Sequence, residues 1–386
     1  MWRVSFNGGD RWFAGNISRI DFSGSLEEWE KWLRAFAAGA EIDRFILFGS
    51  SREIHLVARN VAMDLGVGVL SLEEGYIRPG FVTAEFVGNN ADSPLAGMLP
   101  PTDFVGTTEP QAGEAYSSFA AMCRSAGIYY VARTLLSGLG TRPLFHRRFN
   151  AFVEPFLWGR NFWRSLTRKG RDFYTIEKLL EHFDKKFFLV PLQVPSDAQM
   201  RVASRGWDSQ RLITEVMASF AKKGPGDHRL VFKVHPLERG HSDVRRSVQQ
   251  MAKAFGVSDR VDVIENGSLG LLTRHSAGMI TINSTSGLSA IFHGVPLMVI
   301  GDAIYANDRL ATVARGTPNF DRFWTEGFVG DAQLRRRYLR WLRKQALVPG
   351  DFYGAEGIEV ACKGIVKKAG LLPVAFKELD ARKQAC

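Results

Sequence analysis

Cysteine is scarce in this chain, long apolar runs are missing, and acids are fewer than bases. Only three cysteines occur among 386 residues: Cys123, Cys362 and Cys386. Odd in number and far apart, they make neither a disulfide framework nor a paired metal knuckle, and a reducing cytosol is the expected setting. The most apolar stretch, residues 288–304, is broken by His293, Gly294, Pro296 and Gly301. A bilayer span takes about 20 apolar residues, so any meeting with a membrane is expected at its surface. The first ten residues lack the basic-then-apolar order of a secretory signal. No GxxxxGK[ST], HExxH, CxxC or GxSxG pattern is found, which argues against P-loop ATPases, zinc proteases, redox enzymes and serine hydrolases. No metal site is expected.

What is present is a globular composition, 45% hydrophobic and 23% charged, in a length that suits two domains of roughly 150 residues each. The net charge of +10 favours anionic partners: nucleic acid, phospholipid headgroups, nucleotides or acidic sugars.

Short apolar runs alternate with amphipathic stretches. Residues 45–48 read as a buried strand, 54–65 as a helix and 67–72 as the next strand, an order that predicts a parallel sheet with helices on its faces. A second series has strands at 187–190, 230–232, 261–263, 279–282 and 297–300. The prediction is two doubly wound units in tandem. Residues 86–115, rich in Gly, Pro, Asn, Asp and Thr, read as a long loop. Residues 142–171 hold eight Lys or Arg and Glu154 as the only acid. Among them stand Phe145, Phe149, Phe152, Phe156, Trp158, Phe162 and Trp163. That mixture fits an interfacial helix on lipid as well as an amphipathic helix packed on its own domain. Single-stranded nucleic acid fits less well, because no nucleic-acid fold motif accompanies it.

Four segments could carry chemistry. His235-Pro236 follows a strand, at the edge where open α/β sheets bind ligands. There a histidine donates to a phosphate or protonates a leaving group, with Lys233 adding charge, or it simply caps the next helix. Asn283-Ser284-Thr285-Ser286-Gly287 follows another strand and opens an apolar helical segment, either as an anion site or as a plain N-cap. Glu73-Glu74 ends a strand in the other half. Adjacent acids there suit a general base whose neighbour splits their pKa values, and also suit a solvated turn. Arg78 is placed to pair with one of them or with an anionic substrate. Gln193 and Asp197, in the loop after residue 190, read on their own as turn formers.

Taken together these segments resemble the bacterial capsule polysaccharide β-Kdo transferases of the KpsS (LipB-like) type, with KpsC a more distant relative. The resemblance rests on Phe6-Asn-Gly-Gly-Asp-Arg-Trp-Phe13, on Glu73-Glu-Gly-Tyr-Ile-Arg-Pro79 with Thr83 and Glu85, and on Val190-Pro-Leu-Gln-Val194 with Asp197 and Gln199. It continues through Lys233 to Pro236, Asn283 to Gly287, Tyr305, Phe323-Trp324 and Phe352-Tyr353. It implies an α/β, GT-B-like fold of two Rossmann-like domains facing across a cleft. The expected boundaries are 1–180 on the acceptor side (with the basic aromatic segment 142–171), 186–320 for the CMP-sugar, and C-terminal helices over 321–386. The implied reaction is retaining transfer of the acidic sugar Kdo from CMP-Kdo to a phosphatidylglycerol-type lipid, without metal or other cofactor. Its expected place is the cytoplasmic face of the inner membrane, a peripheral protein beside other capsule synthesis and export proteins, with no nucleic acid involved.

Carried onto this chain, the resemblance makes Asp197 the catalytic carboxylate, Glu74 the base with Glu73 behind it, and Arg78 a partner for the Kdo carboxylate or lipid phosphate. His235, Ser284 and Thr285 would hold the CMP phosphate near Lys233, with Gln193, Asn283 and Pro236 in the same donor motifs. A transferase using another nucleotide sugar and a non-catalytic assembly or export partner are the alternatives. The sequence departs from the family pattern in three places. Gly49-Ser50-Ser51-Arg52 stands where the family has GDxR, Gly88 to Ser93 varies GVNGNS, and the family's first β-α unit is expected ahead of Met1.

Overall fold

Chain order and local chemistry define the elements of the computed structural model, which describes residues 1–106, 116, 119–137, 144 and 153–370. The first are β1 (Trp2–Ser5), α1 (Gly8–Trp12), β2 (Ser18–Asp21), α2 (Leu26–Gly39), β3 (Arg44–Phe48), α3 (Glu53–Leu65), β4 (Gly68–Glu74) and β5 (Phe81–Phe86). Ser25 and Glu28 close a reciprocal capping box on α2, satisfying amides that a bare helix start leaves orphaned. Gly66, with φ of 66°, ends α3 in the left-handed conformation that glycine adopts without strain.

Then come α4 (Phe119–Leu136), α5 (Glu154–Thr167), α6 (Lys169–His182), β6 (Phe187–Pro191), α7 (Ala198–Val202), α8 (Ser209–Lys223), β7 (Arg229–Lys233), α9 (Val244–Ala254) and β8 (Val261–Ile264). The chain continues through α10 (Leu269–His275), β9 (Gly278–Thr281), α11 (Gly287–His293), β10 (Leu297–Val299), β11 (Thr312–Val313), α12 (Phe320–Phe323), α13 (Ala332–Ala346), β12 (Leu347–Pro349) and α14 (Ala355–Gly370). Among the described residues no helix is long and apolar enough to cross a membrane.

These elements form two units. One comprises Met1–Pro94, Thr107–Arg148 and Leu342–Cys386, the other Leu95–Gly106 and Phe149–Trp341. The second holds a six-stranded sheet ordered β11-β10-β9-β6-β7-β8, parallel throughout. Its strands are buried end to end at β6, β7, β9 and β10, as parallel strands covered by helices on both faces must be. The core collects Val190, Phe232, Ile280 and Met298 from the sheet with Val216 and Phe220 of α8 and Trp324, which caps the end of α12. This is the doubly wound α/β architecture the apolar runs predicted.

The first unit departs from that pattern. Its sheet runs β12-β5-β4-β3, with β3 and β4 parallel but β5 antiparallel to both β4 and β12. The strand Glu73 belongs to therefore turns back on itself through Gly75–Gly80 instead of crossing over to a parallel neighbour. A separate parallel pair, β1-β2, joins the same core through Val4 and Phe22, which pack with Trp29 and Leu33 of α2 and Leu47 of β3. Between this pair and β3 lies a cavity of about 1240 Å³, bordered by Trp2, Val4, Phe45 and Phe48.

Two further differences concern boundaries. Helices α5 and α6, expected with the first domain, belong to the second unit. The reason is a buried polar network. Asp172 of α6 receives Arg245 of α9 at 2.9 Å, and the amides of Glu265 and Asn266 at 3.1 and 2.9 Å. The C-terminal region, expected to be helices alone, also contains β12, which returns to pair with β5. Of the expected loop over 86–115, residues 87–106 form turns and one short helical turn at 90–92, while 107–115 lie outside the described residues, as do Phe145, Phe149 and Phe152.

Candidate functional site

In the second unit the chain lays down β6, β7 and β8 in one direction and then crosses to the other side of β6 for β9 and β10. That reversal places a topological switch point between β6 and β9. Open α/β sheets bind ligands in the crevice outside the strand ends at such a point. The loops meeting there are those of Gln193 and of Asn283. Gln193 Nε2 donates to Asn283 Oδ1 at 2.7 Å, and the Asn283 amide donates to Gln193 Oε1 at 3.2 Å. Asn283 is buried and its Nδ2 also donates to the Gln199 carbonyl at 3.1 Å. The amide pair thus pins the two loops together. Gln193, weak as a lone turn residue, turns out to sit at the switch point itself.

Ser284 Oγ accepts from the Ser286 amide at 3.2 Å and from Ser286 Oγ at 2.9 Å. The loop is a hydroxyl turn and not a side-chain cap, since Ser286 makes no capping bond to α11. Behind it the fully buried Tyr305 donates to the Ser284 carbonyl at 2.6 Å. A Cβ at Gly287 would lie 2.2 Å from that phenol oxygen, so only glycine lets the helix start this close to Tyr305. The sequence gives no hint of that contact beyond the glycine.

Next along the same edge, His235 Nδ1 accepts from the Leu237 amide at 3.2 Å. A neutral imidazole held this way carries its proton on Nε2, the tautomer a donor to phosphate requires. The Pro236 carbonyl is bound by Asn161 Nδ2 of α5 at 2.9 Å. Lys233 differs from expectation. Its ammonium is buried and donates to the carbonyls of Glu265 at 3.2 Å and Val234 at 3.4 Å. Burial, with Arg239 nearby, pulls its pKa down to about 8. It supports the edge from below. Asp197 caps α7, its Oδ1 accepting from the Gln199 amide at 3.0 Å, and it is exposed in the loop that follows β6.

In the first unit Glu73 and Glu74 are both inside β4, in register with Thr83 and Val82 of β5. Successive strand residues face opposite sides of a sheet, so the two acids do not form the close dyad the sequence suggested. Glu74 Oε1 accepts from the Tyr353 hydroxyl at 2.6 Å, and Arg78 Nη1 lies 3.8 Å from Glu74 Oε2. Burial, then the Glu74 charge, push the Tyr353 phenol well above its ordinary pKa, so it remains a donor to the carboxylate. Arg78 Nε donates to the Gly75 carbonyl at 3.0 Å and precedes a cis bond to Pro79. Beneath the turn Glu85 is buried. Its oxygens accept from Tyr76 and Ser93, each at 2.5 Å, while burial, outweighing those bonds, raises its pKa from 4.5 to about 7.

The acid missing from the 49–52 loop is replaced from elsewhere. Asp92 Oδ2 accepts from Ser50 and Ser51, each at 3.2 Å, and pairs with Arg59 at 2.8 Å. Two departures from the family pattern therefore meet at one carboxylate. Among the described residues no three His, Cys, Asp or Glu side chains cluster as a metal site.

A family model described as "Capsule polysaccharide biosynthesis protein" matches residues 43–353. The chain belongs to that family. Among similar proteins, "Capsule polysaccharide export protein KpsS" of Escherichia coli is 31% identical over 358 residues, covering 91% of this chain and 89% of the relative. "Capsule polysaccharide modification protein LipB" of Neisseria meningitidis serogroup A is 28% identical over 366 residues, 91% of this chain and 85% of its own. Among solved structures, the one titled "Thermosulfurimonas dismutans KpsC, beta Kdo 2,7 transferase" aligns with 96% of this chain and 99% of its own at 18% identity, with a TM-score of 0.45. The family match begins one residue before β3 and ends past β12, so it takes in both the switch-point loops and the Glu74–Tyr353 contact.

Proposed function

We propose that this capsule-biosynthesis protein is a retaining glycosyltransferase that moves Kdo from CMP-Kdo to a phosphatidylglycerol-type lipid. The observation that carries the donor half is the switch-point crevice, where the Gln193–Asn283 pair holds the Ser284–Thr285 loop beside the His235 edge. Such an edge suits a nucleotide phosphate. Membership of the capsule family, and the motif resemblance to β-Kdo transferases, support Kdo as the sugar and a site of action at the inner membrane beside other capsule proteins.

In this reading His235 and the Ser284 and Thr285 hydroxyls bind the CMP phosphate. The Asp197 carboxylate attacks the anomeric carbon, and the bond to the phosphate oxygen breaks with its electron pair leaving on CMP. The lipid hydroxyl then gives its proton to Glu74 as its oxygen displaces Asp197, and two inversions make net retention. Glu73 stands behind Glu74 as a weaker candidate for the base, because it faces the other side of the sheet. Arg78 pairs with the Kdo carboxylate or the lipid phosphate.

The test is transfer from CMP-Kdo to a fluorescent lysophosphatidylglycerol. Asp197→Asn keeps a capping side chain on α7 but removes the nucleophile, and His235→Ala removes the phosphate contact. Product from the wild type, with losses of about a hundredfold or more in both variants, is expected. Turnover by Asp197→Asn within a few-fold of the wild type would remove Asp197 from its role. A wild type that ignores CMP-Kdo but turns over another nucleotide sugar would overturn the choice of donor. Donor binding without transfer would favour an assembly or export role.

A further inference from the structure

Helix α5 and the first turn of α6 are inside out. The buried positions there are polar, Glu154, Asn161 and Asp172, and only farther along α6 is an apolar side chain, Leu179, buried. Glu154 meets His241 at 3.2 Å, Asn161 holds the Pro236 carbonyl, Arg164 donates to the carbonyls of Arg239 and Ser242 at 2.6 and 2.8 Å, and Arg168 pairs with Glu265 at 2.5 Å. The opposite side of α5 carries Phe156, Phe162, Trp163 and Leu166, which are 57–69% exposed. At about 100° per residue these four fall within roughly a third of the helix circumference. Phe173 and Tyr174 add two more exposed rings on α6. An ordinary surface helix shows the reverse arrangement, and large exposed apolar surfaces mark interaction sites.

The charge on this face selects the partner. Between residues 153 and 174 the acids are Glu154 and Asp172, both buried, whereas Lys169 and Arg171 are exposed. Aromatic rings beside uncompensated cations are the make-up of helices that lie in the headgroup layer of an anionic bilayer. Self-pairing of the Lys169–Arg171 end in a symmetric dimer would bring those cations together, the first exposed acid along α6 being Glu177, one turn beyond Phe173.

We propose that α5 and the first turns of α6 form a membrane-docking face, with the Phe and Trp rings entering the acyl boundary and Lys169 and Arg171 at lipid phosphates. This inference rests on the lipid-acceptor reading above, because it explains how a protein with no spanning helix among its described residues would reach such an acceptor.

The full chain is sedimented with vesicles of phosphatidylcholine alone and of phosphatidylcholine mixed with phosphatidylglycerol. The wild type is expected to prefer the anionic vesicles, with a blue shift in tryptophan emission. Combined Phe162→Ser, Trp163→Ser and Phe173→Ser should lower partitioning about tenfold or more. Lys169→Glu with Arg171→Glu should abolish only the preference for phosphatidylglycerol. All substituted side chains are exposed, so melting temperatures should not move. Equal sedimentation of the aromatic variant and the wild type would overturn the docking face. So would a wild type that ignores vesicles, or a face that proves to mediate self-association. Transfer to detergent-dispersed lysolipid separates the two proposals. Vesicle binding without any transfer defeats only the activity, and transfer without vesicle binding defeats only the docking face.

Discussion

Replacing Asp172 with alanine tests whether the buried polar network holds α6 onto the second unit's sheet. Asp172 is fully buried and accepts four hydrogen bonds, from Arg245 at 2.9 Å, the amides of Glu265 and Asn266, and Asn266 Nδ2 at 2.8 Å. Arg245 keeps Glu265 at 3.1 Å and the Val263 carbonyl at 2.7 Å, so its charge is not wholly abandoned. The two backbone amides lose their acceptor, at about 1–3 kcal/mol each. With the weakened ion pair the expected loss is about 3–5 kcal/mol. For a unit of this size each kcal/mol moves the melting temperature by about 2–4 °C, which gives a fall of about 6–20 °C. Calorimetry should show the shift in one transition, because the units need not unfold together. Asp172→Asn keeps one acceptor oxygen and should fall between. Asp172→Leu combined with Arg245→Met should recover much of the loss, since well-packed apolar side chains often match a buried pair. A change of less than about 2 °C in Asp172→Ala would refute the reasoning behind these estimates.

The pH dependence of stability should report Glu85. Its folded pKa, about 7, lies above the ordinary 4.5, so the native state keeps a proton that the unfolded chain releases. Stability from this group is full below 4.5, falls as pH rises to about 7 and is level above. Urea midpoints measured across that window should lose this component in Glu85→Gln. Gly287→Ala forces a Cβ to 2.2 Å from the Tyr305 oxygen, and should cost about 1–3 kcal/mol by urea unfolding. It should also weaken donor binding, because Tyr305 holds the Ser284 carbonyl. Tyr353→Phe removes the 2.6 Å bond to Glu74. Steady-state kinetics should show a lower kcat with an unchanged KM for the donor, provided Glu74 acts as the base.

Legibility followed burial. The strands at Phe187–Pro191, Arg229–Lys233 and Gly278–Thr281 were readable because a strand covered on both faces is a continuous apolar run. β12 is three residues long and pairs with a strand more than 260 residues earlier, and no local periodicity encodes such a partner. The same distance effect hid the Gln193–Asn283 pair, 90 residues apart in sequence, although both motifs were visible singly. Glu73-Glu74 misled for a different reason. The strand runs two residues past its last apolar position, so adjacency in sequence became opposition across the sheet. Asp92 could not be matched to Ser50 from spacing, since their contact depends on where the 87–94 loop folds back.

The outer border of β3 carries one more consequence. Among the described strands β3 ends its sheet, and Ile46 and Phe48 on it are exposed. A strand border with unpaired backbone groups and apolar side chains is a template for the same border on another molecule, and natural proteins blunt such borders with lysine, proline or a bulge. Here Arg44 is the only charged residue in the strand. However, β1 stands across the cavity from this border and Ile46 and Phe48 line that cavity, so a second chain would reach β3 only by entering it, and Ile46→Lys is the substitution that would close that route.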